Sequence, residues 1–427
     1  MKNRIYNTLI ILGFAAFLSI NATNITGAEI QKATRNKNII EQQIKSQLIP
    51  FNEFYTSELE INIPISETHI EDIKETEQIE NADINSKINK EENEETIKDS
   101  ENIENNEESH VNEDIFTIPD GTYNYCPSVI DDNENISMFY CSNIKPYKII
   151  DNICFSETTI NDNDVVMKNR TTVLSPSEND WDSVHVCDPS IISGNFTYQG
   201  NTYKYLMAYL GCNTLDNQKN QIGFAISNSL SSGWIKINSN PIIKCNYDSS
   251  KSDFQWGVGQ PSLINLDNNG HVLLFYTEGT YNLTSTKIQE LNLSDLDNIE
   301  FINNVTISNK GTNDFISNAD FAIKNGMLYM ACDKHPFSGN ILNNISDSTE
   351  IYICSFDGDI NTLQNTKWEK EFSINKTNTG YSKNHNSGFY KTLSGNLAEN
   401  SIIYTSAIEE SNFSESLWTY RLKNINW

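Results

Sequence analysis

A short polar start, an apolar run, a turn and a second apolar run recur five times between residues 116 and 427. The turns are rich in Gly, Asn and Asp, and the return runs are β-branched and aromatic, as in ISMFYCSN and HVLLFYTEG. Apolar runs of this composition between turn residues predict antiparallel hairpins. The five starts read YCPSVI (125–130), CDPSII (187–192), GQPSLI (259–264), ADFAI (319–323) and HNSGFY (385–390).

The polar leaders of these starts are spaced by 60 to 72 residues, which leaves room for four strands in each unit. Five such units predict an all-β fold, a five-bladed β-propeller. Radial closure removes the long exposed edges that one open sheet of the same strands would carry. A jelly roll or a plain sandwich is the alternative, but neither explains five evenly spaced starts.

Residues 1–28 have the pattern of an export signal. Two basic residues precede an apolar stretch at 9–20, which is too short to span a bilayer, and small residues follow as far as Ala28. This pattern predicts a secretory signal peptide that is cleaved after Ala28, with an uncleaved membrane anchor as the alternative. We therefore expect a secreted, extracellular protein, with association to the cell surface as an option.

Residues 29–115 have a composition that does not support a core. They carry 23 acidic and 8 basic side chains and only three of the 44 aromatic residues. Such a segment cannot bury enough apolar area to offset the entropy of ordering, so it predicts a disordered acidic arm. The arm is either a spacer that holds residues 116–427 away from a surface or a tail without a binding role.

Charge and cysteine spacing restrict the chemistry of residues 116–427. Their 34 acidic and 20 basic side chains disfavour nucleic acid and anionic membranes and favour a neutral or cationic ligand. All eight cysteines lie here without a CxxC pair, so neither a metal site nor a redox motif is predicted. Disulfides are allowed in a secreted chain, and buried free thiols are expected for at least half of the eight.

In a propeller, the start of each first strand and the end of each second strand lie on the same face. Polar side chains at these positions would gather around the axis, which makes a binding-site hypothesis. The strand starts contribute Cys126, Asp188, Gln260, Asp320 and His385, and the return strands end with Cys212, Glu278, Asp333 and His335.

Three segments in this region, DPSII, QIGFAISNSLSSGW and KNHNSGFYKTLSG, follow one another in a recognisable order. Residues 120–427 thereby resemble the propeller glycoside hydrolases of the arabinanase, β-xylosidase and arabinofuranosidase type. The resemblance implies hydrolysis with inversion, which needs a protonated and an ionised carboxyl group on opposite sides of the scissile bond. It also implies an Asp base in blade one, a second Asp in blade two, a Glu acid in blade three and a blade-five His beside a water or cation.

The match to that catalytic set is partial. Asp188 and His385 stand where the resemblance implies an Asp and a His. Cys126 stands in place of the base, and Gln260 stands in place of the acid. An amide does not supply the required proton, and a neutral thiol is a poor base for water.

Three interpretations follow from this partial match. In the first, Glu278 is the acid and Asp320 or Asp188 is the base. In the second, the propeller only binds sugar. In the third, the polar leaders bond nearby backbone amides and serve structure alone. The candidate substrate-binding residues are Cys126, Trp181, Trp256, Gln260, His335 and His385, with the two tryptophans as stacking platforms.

The resulting prediction is a secreted, carbohydrate-active propeller. Glycoside hydrolysis of plant-type or cell-surface glycans leads, and carbohydrate binding without hydrolysis is the alternative. The expected partner is an oligo- or polysaccharide, and neither nucleic acid binding nor membrane insertion is expected. We expect a monomer without a cofactor, apart from the option of a structural cation near His385.

Overall fold

The computed structural model describes residues 116–132, 135–247, 255–279, 284–307, 316–334, 345–410 and 413–427. The chain divides into two units, residues 1–105 and 106–427, and all described residues belong to the second. The predicted signal peptide and the whole of the predicted acidic arm lie outside the described residues.

The described residues are nearly all β. The first strands are β1 (Asn124–Asp131), β2 (Ile136–Asn143), β3 (Asp151–Asn161), β4 (Asp164–Leu174), β5 (His185–Tyr198), β6 (Asn201–Cys212), β7 (Gln221–Ser227), β8 (Ile235–Lys236), β9 (Gly257–Asn265) and β10 (His271–Gly279). The others are β11 (Thr284–Asn292), β12 (Glu300–Thr306), β13 (Asp320–Lys324), β14 (Met327–Lys334), β15 (Ser348–Ser355), β16 (Glu369–Ile374), β17 (Lys383–Lys391), β18 (Leu397–Ala407) and β19 (Arg421–Asn426). The helical segments are short: a 3-10 turn (Ile360–Gln364), α1 (Lys376–Thr379) and α2 (Phe413–Leu417).

Three sheets each contain four strands that follow one another in the sequence, β5–β8, β9–β12 and β13–β16. Neighbouring strands within them pair antiparallel. The five predicted start-and-return hairpins are all present, as β1–β2, β5–β6, β9–β10, β13–β14 and β17–β18.

The remaining strands form one closed sheet in the order β1-β17-β18-β19-β4-β3-β2. Its two halves come from opposite ends of the described region. Strand β1 pairs in parallel with β17 at Val129 and Tyr390, and β19 pairs with β4 at Lys423 and Asp164. The early and late segments therefore hold each other in place.

The apolar core lies between neighbouring sheets. Phe275 of β10 stacks on Phe321 of β13, with ring centroids 4.2 Å apart. In the same way Ile153 of β3 and Val186 of β5 are buried in one apolar cluster. Truncating a buried Phe of this kind costs about 3–5 kcal/mol, so the contacts between sheets carry much of the stability.

Four of the five hairpin starts depart from regular pairing. The register shifts between Tyr125 and Ser128, between Cys187 and Ser190, and between His385 and Gly388, and a further shift lies in β9–β10. These are β-bulges, which redirect side chains and tolerate a proline that cannot donate a ladder hydrogen bond.

Within the described part of the chain, no helix has the length and apolar character that a membrane crossing needs.

Candidate functional site

The five hairpin starts meet at one small cavity of about 40 Å³. A cavity of this volume holds a few water molecules and is too small for a sugar ring. The lining residues are Cys126, Pro127, Ser128, Asp188, Pro189, Gln260, Pro261, Asn318, Ala319, Asp320, Asn386 and Ser387. Segments up to 260 residues apart in the chain thus become neighbours, as the propeller hypothesis requires.

One residue in each start, or directly before it in the fourth, has a left-handed backbone conformation. The φ angles lie between 46° and 54° for Cys126, Asp188, Gln260, Asn318 and Asn386. This region costs a non-glycine residue about 1 kcal/mol or more, and asparagine and aspartate tolerate it best. The same uncommon conformation at five converging positions identifies them as equivalent residues of a repeated unit.

This equivalence corrects the expected alignment of the fourth and fifth starts. The residues equivalent to Asp188 are Asn318 and Asn386, and not Asp320 and His385 as the sequence pattern predicts. The reason is local. The fourth start has Asn-Ala-Asp and the fifth has Asn-Ser-Gly where the first three have a polar residue followed by Pro-Ser. Asn318 and Asn386 are functional candidates that the sequence pattern did not predict. The available signal was the asparagine itself, because asparagine tolerates a left-handed backbone.

Hydrogen bonds link four of the five left-handed residues, Gln260, Asn318, Asn386 and Cys126, through Asp333. The Asn318 N–H donates to Gln260 Oε1 at 2.7 Å, and the Asn318 amide donates to Asp333 Oδ2 at 2.5 Å. The Asn386 N–H donates to Asp333 Oδ1 at 3.0 Å, and its side chain contacts Cys126 Sγ. The Cys126 thiol and the Gln260 backbone both interact with the Asp188 carboxyl group and lower its pKa. We call these six residues the axial ring.

Asp188 is the ionisable centre of the axial ring. Its burial raises the pKa of the carboxyl to about 6, although hydrogen bonds from Cys126 and from the Gln260 backbone act in the opposite direction. Among the described residues no lysine or arginine forms an ion pair with it. The Asp188 side chain can therefore hold or release a proton in mildly acidic conditions.

A disulfide lies directly beside Asp188. It joins Cys141 of β2 to Cys187 of β5, and Cys187 Sγ is 3.2 Å from Asp188 Oδ1. The other six cysteines form no disulfide, and four of them are buried, which confirms the expectation of buried thiols for at least half of the eight. Burial, followed by the charge of Asp188, raises the pKa of the Cys126 thiol well above its ordinary value, so this thiol is neutral at neutral pH.

Asp320 lines the cavity but is occupied by structural bonds. Its Oδ1 lies 2.6 Å from Lys391 Nζ and accepts from Ser262 Oγ at 2.7 Å. Its Oδ2 accepts from the Phe389 N–H at 2.9 Å. Asp320 thereby ties β9, β13 and β17 together, and its position corresponds to the serines Ser128, Ser190 and Ser262 of the first three starts.

Glu278 lies at the end of β10, outside the lining of the cavity. Its carboxylate forms an ion pair with Lys287 of the neighbouring strand and is about one-third exposed. The cavity therefore does not bring Glu278 together with Asp188 or Asp320 as an acid–base pair.

The two candidate tryptophans are not among the lining residues of the cavity. Trp181 stacks on Tyr209, with centroids 5.7 Å apart, and fills the space beside Gly211 and Gly223. Trp256 packs against the apolar cluster that contains Cys187.

His385 is buried at the fifth start. Its ring makes an edge contact with Tyr420 at 4.6 Å, and its Nδ1 lies 3.0 Å from Asn386 Oδ1. The imidazole thus supports the axial ring from behind Asn386. His335, the last of the predicted candidates, lies outside the described residues.

Comparison with known proteins gives similarity of fold only. No protein-family profile and no curated sequence matches the chain. Among solved structures, the chain is similar to an α-L-arabinofuranosidase from Lactobacillus brevis (9% identity, TM-score 0.49, covering 72% of this chain and 91% of that chain). It is also similar to a family 117 glycoside hydrolase produced by the marine bacterium Zobellia galactanivorans (12%, 0.45, 72% and 84%). A third is a family 43 arabinoxylan arabinofuranohydrolase from Bacillus subtilis (12%, 0.48, 72% and 64%). With TM-scores below 0.5, these likenesses do not assign an activity.

Proposed function

We propose that residues 116–427 form a five-bladed β-propeller that binds a neutral glycan over its axial ring without hydrolysing it. The observation that carries this proposal is the composition of the cavity. Its lining contains two carboxylates, and one of them, Asp320, is committed to Lys391. Inverting hydrolysis needs two carboxyl groups about 6.5–9.5 Å apart that remain available as acid and base.

The five-blade arrangement rests on the repeated starts. Strands β1–β4 and β17–β19 of the closed sheet each carry one start, as does each four-stranded sheet. We therefore assign the closed sheet to a first blade of four strands and a fifth blade of three. The five starts would then surround one axis.

The chemistry of the axial ring fits the hydroxyl groups of a sugar. Amide side chains both donate to and accept from hydroxyls, and a carboxylate accepts from them. The negative charge of the domain disfavours anionic ligands. The cavity admits only one protruding group, such as a hydroxyl or hydroxymethyl. The rest of the glycan would then lie over the surrounding loops. The sequence resemblance to propeller glycoside hydrolases supports the same class of ligand.

Binding and turnover can be measured together on the full chain. Arabinan, xylan and mannan are titrated by calorimetry, and released reducing ends are followed in the same samples. We expect saturable binding to at least one glycan and no product. Gln260→Leu should weaken binding about tenfold, equivalent to one lost hydrogen bond. Asn304→Ala, an exposed amide on β12, is the matched control and should bind as the parent does.

Each alternative outcome of this experiment is decisive. Release of reducing ends that is lost in Asp188→Asn would replace the proposal with hydrolysis. The absence of binding to every glycan offered would remove the carbohydrate proposal altogether.

Hydrolysis remains the second candidate function because of one observation, the pKa of Asp188 near 6. A carboxyl group with such a pKa is suited to general acid or base catalysis close to neutral pH. If this candidate holds, aryl glycosides should be cleaved with a rate that changes near pH 6. Asp188→Asn should abolish that cleavage while the fold is retained.

We also propose that the protein acts outside the cell, with residues 1–28 removed and residues 29–115 serving as a spacer. The support is the sequence pattern of both segments. The exported protein should have Glu29 as its first residue, which N-terminal mass spectrometry would show. Retention of Met1 on the mature protein would contradict the cleavage.

A further inference from the structure

Three sulfur atoms and a carboxylate cluster at the edge of the axial ring. The ligand atoms of Cys126, Cys141, Cys187 and Asp188 all lie within 4.8 Å of one another. Cys126 and Asp188 line the cavity, while Cys141 and Cys187 are buried behind them. The disulfide uses two of these four groups and leaves a third thiol and a carboxylate in contact with it.

The bulges explain why four such groups meet. Successive side chains of a regular strand point to opposite faces, so Cys187 and Asp188 would normally be separated. The left-handed conformation of Asp188 breaks that alternation and leaves its carboxylate 3.2 Å from Cys187 Sγ. The register of β1 and β2 pairs Tyr125 with Cys141, and the bulge at Cys126 places its thiol in the same group.

The cluster has the composition of a thiolate metal site. Zinc in proteins is held by four ligands at about 2.3 Å for sulfur and about 2.0–2.2 Å for carboxylate oxygen, which places neighbouring ligand atoms roughly 3.8 Å apart. The observed limit of 4.8 Å requires only small movements to reach this geometry once the disulfide is open. Thiolates favour Zn²⁺ and similar soft cations over Ca²⁺ or Mg²⁺.

We propose that reduction of the Cys141–Cys187 disulfide creates a Zn²⁺ site formed by Cys126, Cys141, Cys187 and Asp188. A dithiol reductant transfers two electrons and two protons to the disulfide, yielding two cysteine thiols and the oxidised reductant. Zn²⁺ then displaces the protons of the three thiols to water and binds the thiolates and the carboxylate. The disulfide and the metal site are mutually exclusive because they use the same two sulfur atoms.

This site was not predicted from the sequence, since none of its cysteines forms a CxxC pair. Its ligands come from three strands and two sheets, so only the fold brings them together. The proposal is independent of whether the propeller binds or cleaves a glycan.

Cobalt is a spectroscopic probe for the proposed site. The full chain is reduced with dithiothreitol, freed of reductant under nitrogen and titrated with Co²⁺. We expect one Co²⁺ per chain, with thiolate-to-cobalt charge-transfer and tetrahedral d–d absorption that Zn²⁺ abolishes by displacement. The oxidised chain should show neither band, because two of the three thiolates are absent.

The Cys126→Ser variant separates the site from the disulfide. It leaves Cys141 and Cys187 intact and should weaken Co²⁺ binding by more than the roughly 10- to 100-fold that loss of an outer-shell partner costs. Cys245→Ser is the matched control, since Cys245 is also a partly exposed free thiol but lies outside the cluster. The control should bind Co²⁺ as the parent does.

Three results would overturn the proposal. One is a reduced chain with a native near-UV circular dichroism spectrum that binds no Co²⁺. Another is Cys126→Ser binding with the affinity of the parent, which would indicate adventitious coordination by other thiols. The last is a reduced chain that loses its near-UV spectrum and does not regain it when Zn²⁺ is added.

Discussion

At the residue scale, Asp188 combines burial with a left-handed backbone, and both properties follow from its place in the axial ring. The identity of the residue was visible in the sequence as the polar leader of CDPSII. Its backbone conformation and its neighbours were not, because a φ angle of 49° at an aspartate depends on tertiary contacts. The misplacement of Asp320 and His385 has a local cause, because the fourth and fifth starts lack the Pro-Ser that marks this position in the first three.

The raised pKa of Asp188 predicts a pH-dependent contribution to stability. The folded carboxyl keeps its proton up to a pH of about 6, against 3.8 for an ordinary aspartate, so the folded state binds more protons between these values. Stability therefore falls as pH rises through this window, by about 3 kcal/mol for this group, and is constant above it. Urea unfolding of the parent and of Asp188→Asn should show that the parent loses this amount relative to the variant. A constant difference between the two proteins would contradict the assignment.

The largely buried Asp320–Lys391 ion pair predicts a loss of stability when one of the two charges is left without its partner. Lys391 is 5% exposed and Asp320 is 15% exposed, so removing one partner leaves the other poorly solvated. Lys391→Met should destabilise the domain by about 3–5 kcal/mol. The double variant Asp320→Asn/Lys391→Met should regain part of that loss in urea unfolding. A double variant that is no more stable than Lys391→Met would contradict the expected cost of an unpaired Asp320 carboxylate.

At the element scale, the strands were largely predictable from the sequence and their register was not. The five start-and-return hairpins follow from alternating apolar runs and Gly/Asn/Asp turns. The parallel pairing of β1 with β17 joins residues more than 250 positions apart. Local composition carries no signal for such pairings.

The close approach of β17 to β1 predicts a sensitive glycine. A Cβ atom added at Gly388 would lie 2.0 Å from the Pro127 carbonyl oxygen, which is backbone and cannot rotate away. Gly388→Ala should therefore force the two strands apart and lower the free energy of unfolding by more than about 3 kcal/mol.

Gly326→Ala is the matched comparison for this substitution. Gly326 has a φ of 73° in the β13–β14 turn, and no atom lies closer than 3.9 Å to the added Cβ. Its cost should be confined to backbone strain, about 1 kcal/mol. Denaturant unfolding of both variants tests the difference, and equal losses would show that contact with Pro127 does not matter.

At the scale of the whole molecule, closure of the sheet should make strands β1–β4 depend on β19 for their stability. Ending the chain after Tyr420 removes β19, its pairing with β4 at Lys423, and buried Leu422. We expect lower thermal stability and faster amide hydrogen exchange in β4 and β18, because edge pairing protects those amides. Exchange in β9–β12, which has no pairing with β19, is the internal control. Unchanged protection of β4 would contradict a stabilising role for closure.

The pairing of strands from the two ends of the described region also affects how the chain can fold during its synthesis. While residues 124–174 emerge from the ribosome, the segment that must lie beside β1 and β4 has not yet been translated. Strand β1 waits with an unsatisfied edge until β17 at Lys383–Lys391 is made, and β4 waits until β19 at Arg421–Asn426 is made. The nascent chain is thus exposed to aggregation for most of its translation, and a holdase that masks the edges of β1 and β4 would be of greatest use during that interval.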